Sequence, residues 1–350
     1  SFRDSVATID KQGHRKFIFP KKPSGKYYTL RTLTSLVFLL VFFAVPFIKV
    51  GGEPLLMFNV LDRKFIIFGK IFWPQDFFIF AIGLLTFIVF IILFTVAFGR
   101  LFCGWVCPQT NFMEMVFRKV EYLIDGDANK QMQLKAMPWN AEKIRKRITK
   151  MAAFYLIAFV IANFFLAYLI SMDEVMKMVT EGIDKNFGTF ISLIGFTTVF
   201  FFVYYWFREQ ACIVVCPYGR LQSVLLDKNS IVVAYDYVRG EPRGKKKKEE
   251  VSNAGDCIDC NACVRVCPTG IDIRNGTQLE CVNCTACIDA CDHIMDSIGK
   301  PKGLIRYASE NNIALKQKTR FTWRMVLYSI FLTLLASGLV TLLVTRDDVD

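Results

Sequence analysis

Hydrophobic and polar residues in this chain do not alternate; the hydrophobic ones come in blocks. Five blocks keep their centres free of charge, at approximately Leu33–Val50, Phe77–Phe98, Met151–Ser171, Thr189–Phe207 and Met325–Thr345. A helix of about 20 apolar residues crosses the hydrocarbon core of a bilayer, so each block predicts a membrane span. Buried helices of a water-soluble protein are the alternative, and the charge-free centres count against it. The first block is the shortest and carries Pro46 near one end. Between the first two blocks, residues 51–76 are too polar to span and too apolar to float free. They predict a segment at the interface with Trp73 at headgroup level, or a loop packed on helix ends.

Composition sharpens this picture. The chain is 53% hydrophobic, contains 34 phenylalanines and carries a net charge of +12. Lys and Arg crowd residues 1–31 and 99–150, whereas 172–188 holds only Lys177 and Lys185 against four acids. By the positive-inside rule the N-terminus, the 99–150 loop and the 208–324 segment face the cytoplasm. The loops 51–76 and 172–188 and the C-terminus then face the periplasm. The basic residues bracket apolar runs with no nucleic-acid recognition motif, so nucleic-acid binding is the weaker reading of the charge and no nucleic-acid partner is expected. No signal peptide precedes the first span, and Ser1 in place of Met predicts residues upstream.

All twelve cysteines fall in spaced motifs. Pairs two or three residues apart would close very small disulfide loops, so metal or cluster ligation is the expectation. The only histidines, His14 and His293, lie outside the apolar runs, which excludes a pair of bis-histidine haems inside the membrane. Under the charge-based topology every cysteine lies on the cytoplasmic side.

Eight of them form a duplicated run. Cys257, Cys260, Cys263 and Cys267, followed by Pro268, match the C-x2-C-x2-C-x3-C-P pattern of bacterial ferredoxins. Cys281, Cys284, Cys287 and Cys291 repeat the spacing, with Asp292 in place of proline. In two-cluster ferredoxins the fourth cysteine of each run serves the other cluster. The expected ligand sets are therefore Cys257, Cys260, Cys263 and Cys291 for one [4Fe–4S] cluster, and Cys281, Cys284, Cys287 and Cys267 for the second. Zinc is the blander ligand for C-x2-C pairs, but a doubled four-cysteine run is far more specific to clusters. Asp259, Asp289 and Asp292 either lower the cluster potentials or are plain surface acids. No flavin or nicotinamide motif accompanies the run, which suits an electron wire.

The other four cysteines lie where two spans end. C-G-W-V-C-P (Cys103 to Pro108) follows the second span, and C-I-V-V-C-P (Cys212 to Pro217) follows the fourth. Phe98 and Phe207 each stand five residues ahead, and an amphipathic stretch follows each proline, so span, thiol pair and helix form an internal repeat. Cysteines at i and i+4 of a helix share a face, and Cys107 and Cys216 meet the free N–H groups of the helix that each proline opens. Cys103, Cys107, Cys212 and Cys216 are the candidate catalytic and metal site, with soft sulfur ligands suited to copper or to a third iron–sulfur centre. Simple helix-packing cysteines are the alternative. Arg100, Arg208 and Arg220 beside the pairs either support thiolate charge or are interfacial anchors, and the anchor role is the expectation.

The predicted fold class is an α-helical integral membrane protein of about five transmembrane helices with an inserted cytoplasmic bacterial-type two-cluster ferredoxin domain (α+β). Its expected divisions are a cytoplasmic N-terminal segment (1–32), a transmembrane domain with four spans and both C-x3-C-P repeats (33–238), and a linker (239–256). A dicluster ferredoxin domain (257–300), a connector (301–324), the fifth span (325–345) and the start of a periplasmic part (346–350) follow.

The two span-terminal motifs, F-C-G-W-V-C-P and A-C-I-V-V-C-P, and the eight-cysteine segment together resemble the membrane polyferredoxins. With the loop G-G-E-P-L-L-M-F-N-V…R-K-F-I-I-F-G…F-W-P-Q-D, the chain from about 15 to 345 is similar to the CcoG (FixG, RdxA) family, accessory proteins for assembly of cbb-type cytochrome c oxidase. The resemblance implies an inner-membrane protein with two [4Fe–4S] clusters that takes electrons from a cytoplasmic donor. It further implies reduction of Cu(II) to Cu(I) at Cys103, Cys107, Cys212 and Cys216, with copper-handling and oxidase-assembly proteins as partners. Family members usually continue into an immunoglobulin-like periplasmic domain, whereas this sequence stops at Asp350. Two other functions fit the motifs: an electron-relay subunit between a quinol or flavoprotein donor and a partner enzyme, and a cluster-based sensor.

Overall fold

The computed structural model describes residues 7–9, 12–59, 64–72, 77–180, 187–244, 255–316 and 322–345. Trp73 and the lysine run 245–248 lie outside the described residues. In chain order the elements are α1 (Lys26–Ala44), β1 (Lys49–Val50), β2 (Glu53–Pro54), β3 (Leu56–Asn59), β4 (Lys64–Ile67), β5 (Lys70–Phe72) and α2 (Phe77–Phe98). Next come α3 (Leu101–Trp105), α4 (Pro108–Asn111), α5 (Arg118–Ile124), α6 (Ala128–Ala136), α7 (Ala141–Ile170), α8 (Met172–Thr180) and α9 (Phe187–Phe202). The rest are α10 (Pro217–Leu225), β6 (Val232–Tyr235), α11 (Tyr237–Gly240), α12 (Ala262–Arg265), α13 (Ala286–Ser297), β7 (Ile305–Ala308), α14 (Glu310–Ala314) and α15 (Trp323–Val344).

Five of these helical stretches are long and apolar enough to cross a membrane: Lys26–Phe47, Phe78–Phe98, Ala141–Ile170, Phe190–Phe207 and Trp323–Val344. They coincide with the five apolar blocks. Their leucines, valines and phenylalanines are largely exposed, as the lipid-facing side of a multi-pass protein requires. Helix α7 starts ten residues earlier than its apolar block, because A-E-K-I-R-K-R-I-T-K is helix-forming but too charged to register as a span.

The chain folds as two compact units. The first, here the span unit, comprises Leu36–Val89, Ile144–Arg208 and Phe331–Asp350. Within it aromatic rings interlock, with Phe43 meeting Phe164 edge-on at 4.7 Å, and Tyr168 donates to Phe42 O at 2.8 Å. The loop between the first two spans is not a plain loop. It forms the antiparallel sheet β3-β4-β5, next to a β1-β2 hairpin. Both two-residue turns, Gly51-Gly52 and Phe68-Gly69, have positive φ at both positions, the geometry that suits tight hairpins.

The second, the head unit, comprises Ser1–Ser35, Phe90–Lys143 and Glu209–Ile330. Its ferredoxin segment is flanked by its own sheet: β6 pairs antiparallel with β7 from Val232↔Ala308 to Tyr235↔Ile305. These strands lie on either side of 257–300. Val233, Ile288, Met295, Leu304 and Ile305 form the core between the sheet and α13.

One side chain of α13 ties this core to a membrane helix. Asp289 accepts the backbone N–H groups of Tyr27 (3.1 Å) and Tyr28 (2.8 Å), capping the open N-terminus of α1. Gly25 lies hard against that carboxylate, with φ +143, leaving no room for a Cβ. Asp289 is therefore neither a free surface acid nor idle. Asp289→Ala leaves two buried donors without an acceptor and is expected to cost about 1–2 kcal/mol. A lowered unfolding temperature of the detergent-solubilised protein, smaller for Asp289→Asn, checks this.

Candidate electron-transfer site

The duplicated ferredoxin runs adopt the same backbone. Asp259 and Asn261 have φ of +54 and +57, and their counterparts Asn283 and Thr285 have +53 and +65. A left-handed residue on each side of the second cysteine curls each loop so that thiols and N–H groups face inward. Helices α12 and α13 start directly after these turns, at Ala262 and Ala286.

The curled loops bring the eight thiols into two groups. Cys257, Cys260, Cys263 and Cys291 line one cavity of about 340 Å³. Cys267, Cys281, Cys284 and Cys287 line a second of about 350 Å³, which Cys263 also borders. Each group thus takes three cysteines from one run and the last from the other. Burial pushes the thiols of Cys263, Cys281 and Cys291 up to about 12. A bound cluster would displace these protons to solvent, and the donor set of four sulfurs per cavity fits one. Among the described residues no three His, Cys, Asp or Glu side chains converge tightly enough to form a single-ion site. Cys260 is exposed. Asp259 pairs with Arg274, and Asp292 accepts the N–H of Gly303 at 2.9 Å.

The span-terminal repeats also share a backbone. Gly99 and Arg208, equivalent in the two repeats, end their helical stretches with φ of +56 and +52. Cys107 N–H then bonds Phe102 O (2.9 Å), and Cys216 N–H bonds Ala211 O (2.8 Å), both reaching back five residues. The pairs do not ride one helical face as i and i+4 would. Cys107 (ψ 126) and Cys216 (ψ 111) leave the helix and become the N-caps of α4 and α10. The reason is local: each precedes a proline, which disfavours the α conformation in the residue before it.

The four thiols are nevertheless neighbours. Cys103 feels the charges of Cys107 and Cys216, and Cys212 those of Cys107, Cys103 and Cys216. Burial pushes Cys103 and Cys212 up to about 12, with Arg100 opposing the rise at Cys103. Cys103 donates to the fully buried Gln222 Oε1 at 3.3 Å. Buried charges join the repeats: Glu209, one turn ahead of Cys212, meets Arg118 (3.7 Å) and Arg15 (3.4 Å), while Arg118 meets Glu114 at 3.0 Å.

The first pair is pressed onto the ferredoxin loop. A Cβ on Gly104 would stand 2.5 Å from Val282 O and 2.7 Å from Asn283 O, both between Cys281 and Cys284. Arg31 Nε donates to Gly104 O at 2.6 Å. Trp105 Nε1 donates to Tyr307 OH (3.1 Å), which donates to Asn283 O (3.4 Å). Arg100 is buried and donates to the carbonyls of Leu279 and Gly219, joining the second run to α10. It is a clamp in place of the expected headgroup anchor. The side chain of Arg220 lies outside the described residues.

Sequence reasoning missed Gln222, Arg31, Asn283 and Tyr307. Only Gln222 left a signal, as a polar residue in the amphipathic stretch after Cys216.

Comparison with known proteins agrees with this arrangement. A sequence family described as "4Fe-4S dicluster domain" matches residues 207–310, and one described as "4Fe-4S binding domain" matches 80–126. The chain is 39% identical over 310 residues to the "Nitrogen fixation protein FixG" of Rhizobium meliloti, covering 86% of this chain and 58% of that protein. It is 37% identical to "Protein RdxB" and 35% identical to "Protein RdxA" of Cereibacter sphaeroides, over 96% and 95% of this chain and 73% of each relative. No solved structure matches.

Gly104→Ala forces the 282–283 loop away from the first thiol pair. The expected cost is about 1–3 kcal/mol, read as a lower unfolding temperature with the iron–sulfur absorption retained.

Proposed function

Because the chain belongs to the FixG/RdxA/RdxB family of membrane polyferredoxins, we propose that this iron–sulfur electron-transfer protein reduces Cu(II) to Cu(I) at its four span-terminal cysteines. The copper so reduced serves assembly of cbb-type cytochrome c oxidase. Bound [4Fe–4S] clusters supply one-electron storage. Cys257, Cys260, Cys263 and Cys291 hold one, and Cys281, Cys284, Cys287 and Cys267 the other; the linings of the two cavities support this division. The head faces the cytoplasm, as the lysines and arginines around it favour, and a cytoplasmic donor supplies the electrons.

The observation that carries this reading is the packing of Gly104 against Val282 O and Asn283 O. It puts the backbone between two cluster cysteines in contact with the helix bearing Cys103. Each Cu(II) takes one electron and becomes Cu(I), the state that thiolate sulfur holds best. The four neighbouring thiols, with Gln222 and Arg100 beside Cys103, do not form a preformed single-ion site, and the substrate ion would draw soft sulfur donors together at the membrane edge.

A second reading has an observation of its own: the "4Fe-4S binding domain" match spans the first thiol pair. There Cys103, Cys107, Cys212 and Cys216 hold a third cluster, and the chain relays electrons to a partner enzyme. Metal content separates the two, since two cubanes need about 8 irons per chain and three need about 12. For copper reduction, the double variant Cys103→Ser/Cys107→Ser is expected to keep about 8 irons and lose cupric reduction by the pre-reduced protein. An undiminished rate in that variant overturns the proposal.

A further inference from the structure

The head unit has a second built pocket, remote in composition from the sulfur chemistry. Helices α1 and α5 enclose an open cavity of about 980 Å³ whose walls include Lys22, Tyr28, Thr32, Lys119, Tyr122 and Asp127. Two ammonium groups thus face one carboxylate. Asp127 is already engaged, accepting the backbone N–H of Lys22 at 2.8 Å. Tyr122 donates to Pro20 O at 3.1 Å. Among the described residues neither lysine pairs with a carboxylate; Lys119 instead rests over the Tyr28 ring at 5.9 Å. Burial first, then Lys22 and Arg31, hold the Lys119 amine below its usual range, while Glu114 and Glu121 are near enough to act on Tyr122.

Exposed leucines accompany the lining residues. Leu123, on the wall beside Tyr122, is 85% exposed, and Leu30 and Leu33, each next in sequence to a lining threonine of α1, are 43% and 58% exposed. Leucines so bare are costly in water and comfortable among acyl chains. They belong to the opening turns of a membrane span, or lie beside them, so the pocket sits where headgroups give way to hydrocarbon.

We propose that this pocket binds the phosphate of an anionic phospholipid headgroup, with Lys22 and Lys119 as its cationic partners and Leu123, Leu30 and Leu33 against the acyl chains. The lining supports the choice, because two lysines stand there against one carboxylate, that of Asp127, and its Oδ1 already accepts the Lys22 N–H. The amphipathic setting selects a lipid over a soluble phosphate, since free phosphate has no use for the exposed leucines.

Native mass spectrometry of the full, iron-loaded chain in neutral detergent tests this, with dioleoyl phosphatidylglycerol, dioleoylglycerol and inorganic phosphate as probes. The expected result is one tightly held phosphatidylglycerol, no retained dioleoylglycerol, and binding weakened about tenfold or more in Lys22→Gln/Lys119→Gln at unchanged iron–sulfur absorption. Equal phosphatidylglycerol binding by variant and wild type overturns the proposal. Displacement of the lipid by an equal concentration of inorganic phosphate also overturns it, and identifies a soluble-anion site. Should the double variant lose its iron–sulfur absorption, Lys119→Gln alone decides the matter, and it too must bind the lipid less tightly.

Discussion

A residue without a side chain lets two backbones touch, and the head unit depends on such a touch. At Gly104 the turn bearing the first thiol pair meets the carbonyls of Val282 and Asn283. Any larger residue would wedge the ferredoxin loop off the membrane edge. Two arginines lock the contact by donating hydrogen bonds to backbone carbonyls, Arg31 to Gly104 and Arg100 to Leu279 and Gly219. Guanidinium suits this work, because it stays charged at any pH and can serve several acceptors from one rigid fork. The carbonyls gain partners they would otherwise lack in a buried seam.

The same seam couples the folding of soluble and membrane parts. Asp289 lies between Cys287 and Cys291 on α13 and also caps the helix that begins at Lys26. A cap is worth little by itself. Here it makes the orientation of a cluster-bearing helix and the start of a membrane span parts of one hydrogen-bonded unit. The buried Arg118–Glu209–Arg15 network ties the two thiol repeats in the same way. Arg118 also pairs with Glu114 in its own repeat and Glu209 with Arg15, so the contact between repeats adds to charges that already have partners.

Much of this was legible in the sequence, for identifiable reasons. The five spans declared themselves because hydrocarbon admits no charge, and that constraint is written residue by residue. The ferredoxin runs were legible because a cubane fixes its ligand spacing, and a 4Fe-4S dicluster family matches the segment that holds them. The geometry of the C-x3-C-P pairs was misjudged as helical, although Pro108 and Pro217 carried the correcting signal. The sheet of 51–72 escaped notice because strands of two to four residues are too short for alternation to show; only the Gly-Gly and Phe-Gly turns betrayed it. Gly104, Arg31 and Asp289 could not be read at all, since their roles exist only once distant segments meet.

The duplicated thiol turns have drifted apart in a way that matters. Gly104 in the first corresponds to Ile213 in the second, so only one copy can accept the ferredoxin loop. The two halves of the site are therefore not equivalent: the glycine half alone is pressed onto the backbone that carries Cys281 and Cys284.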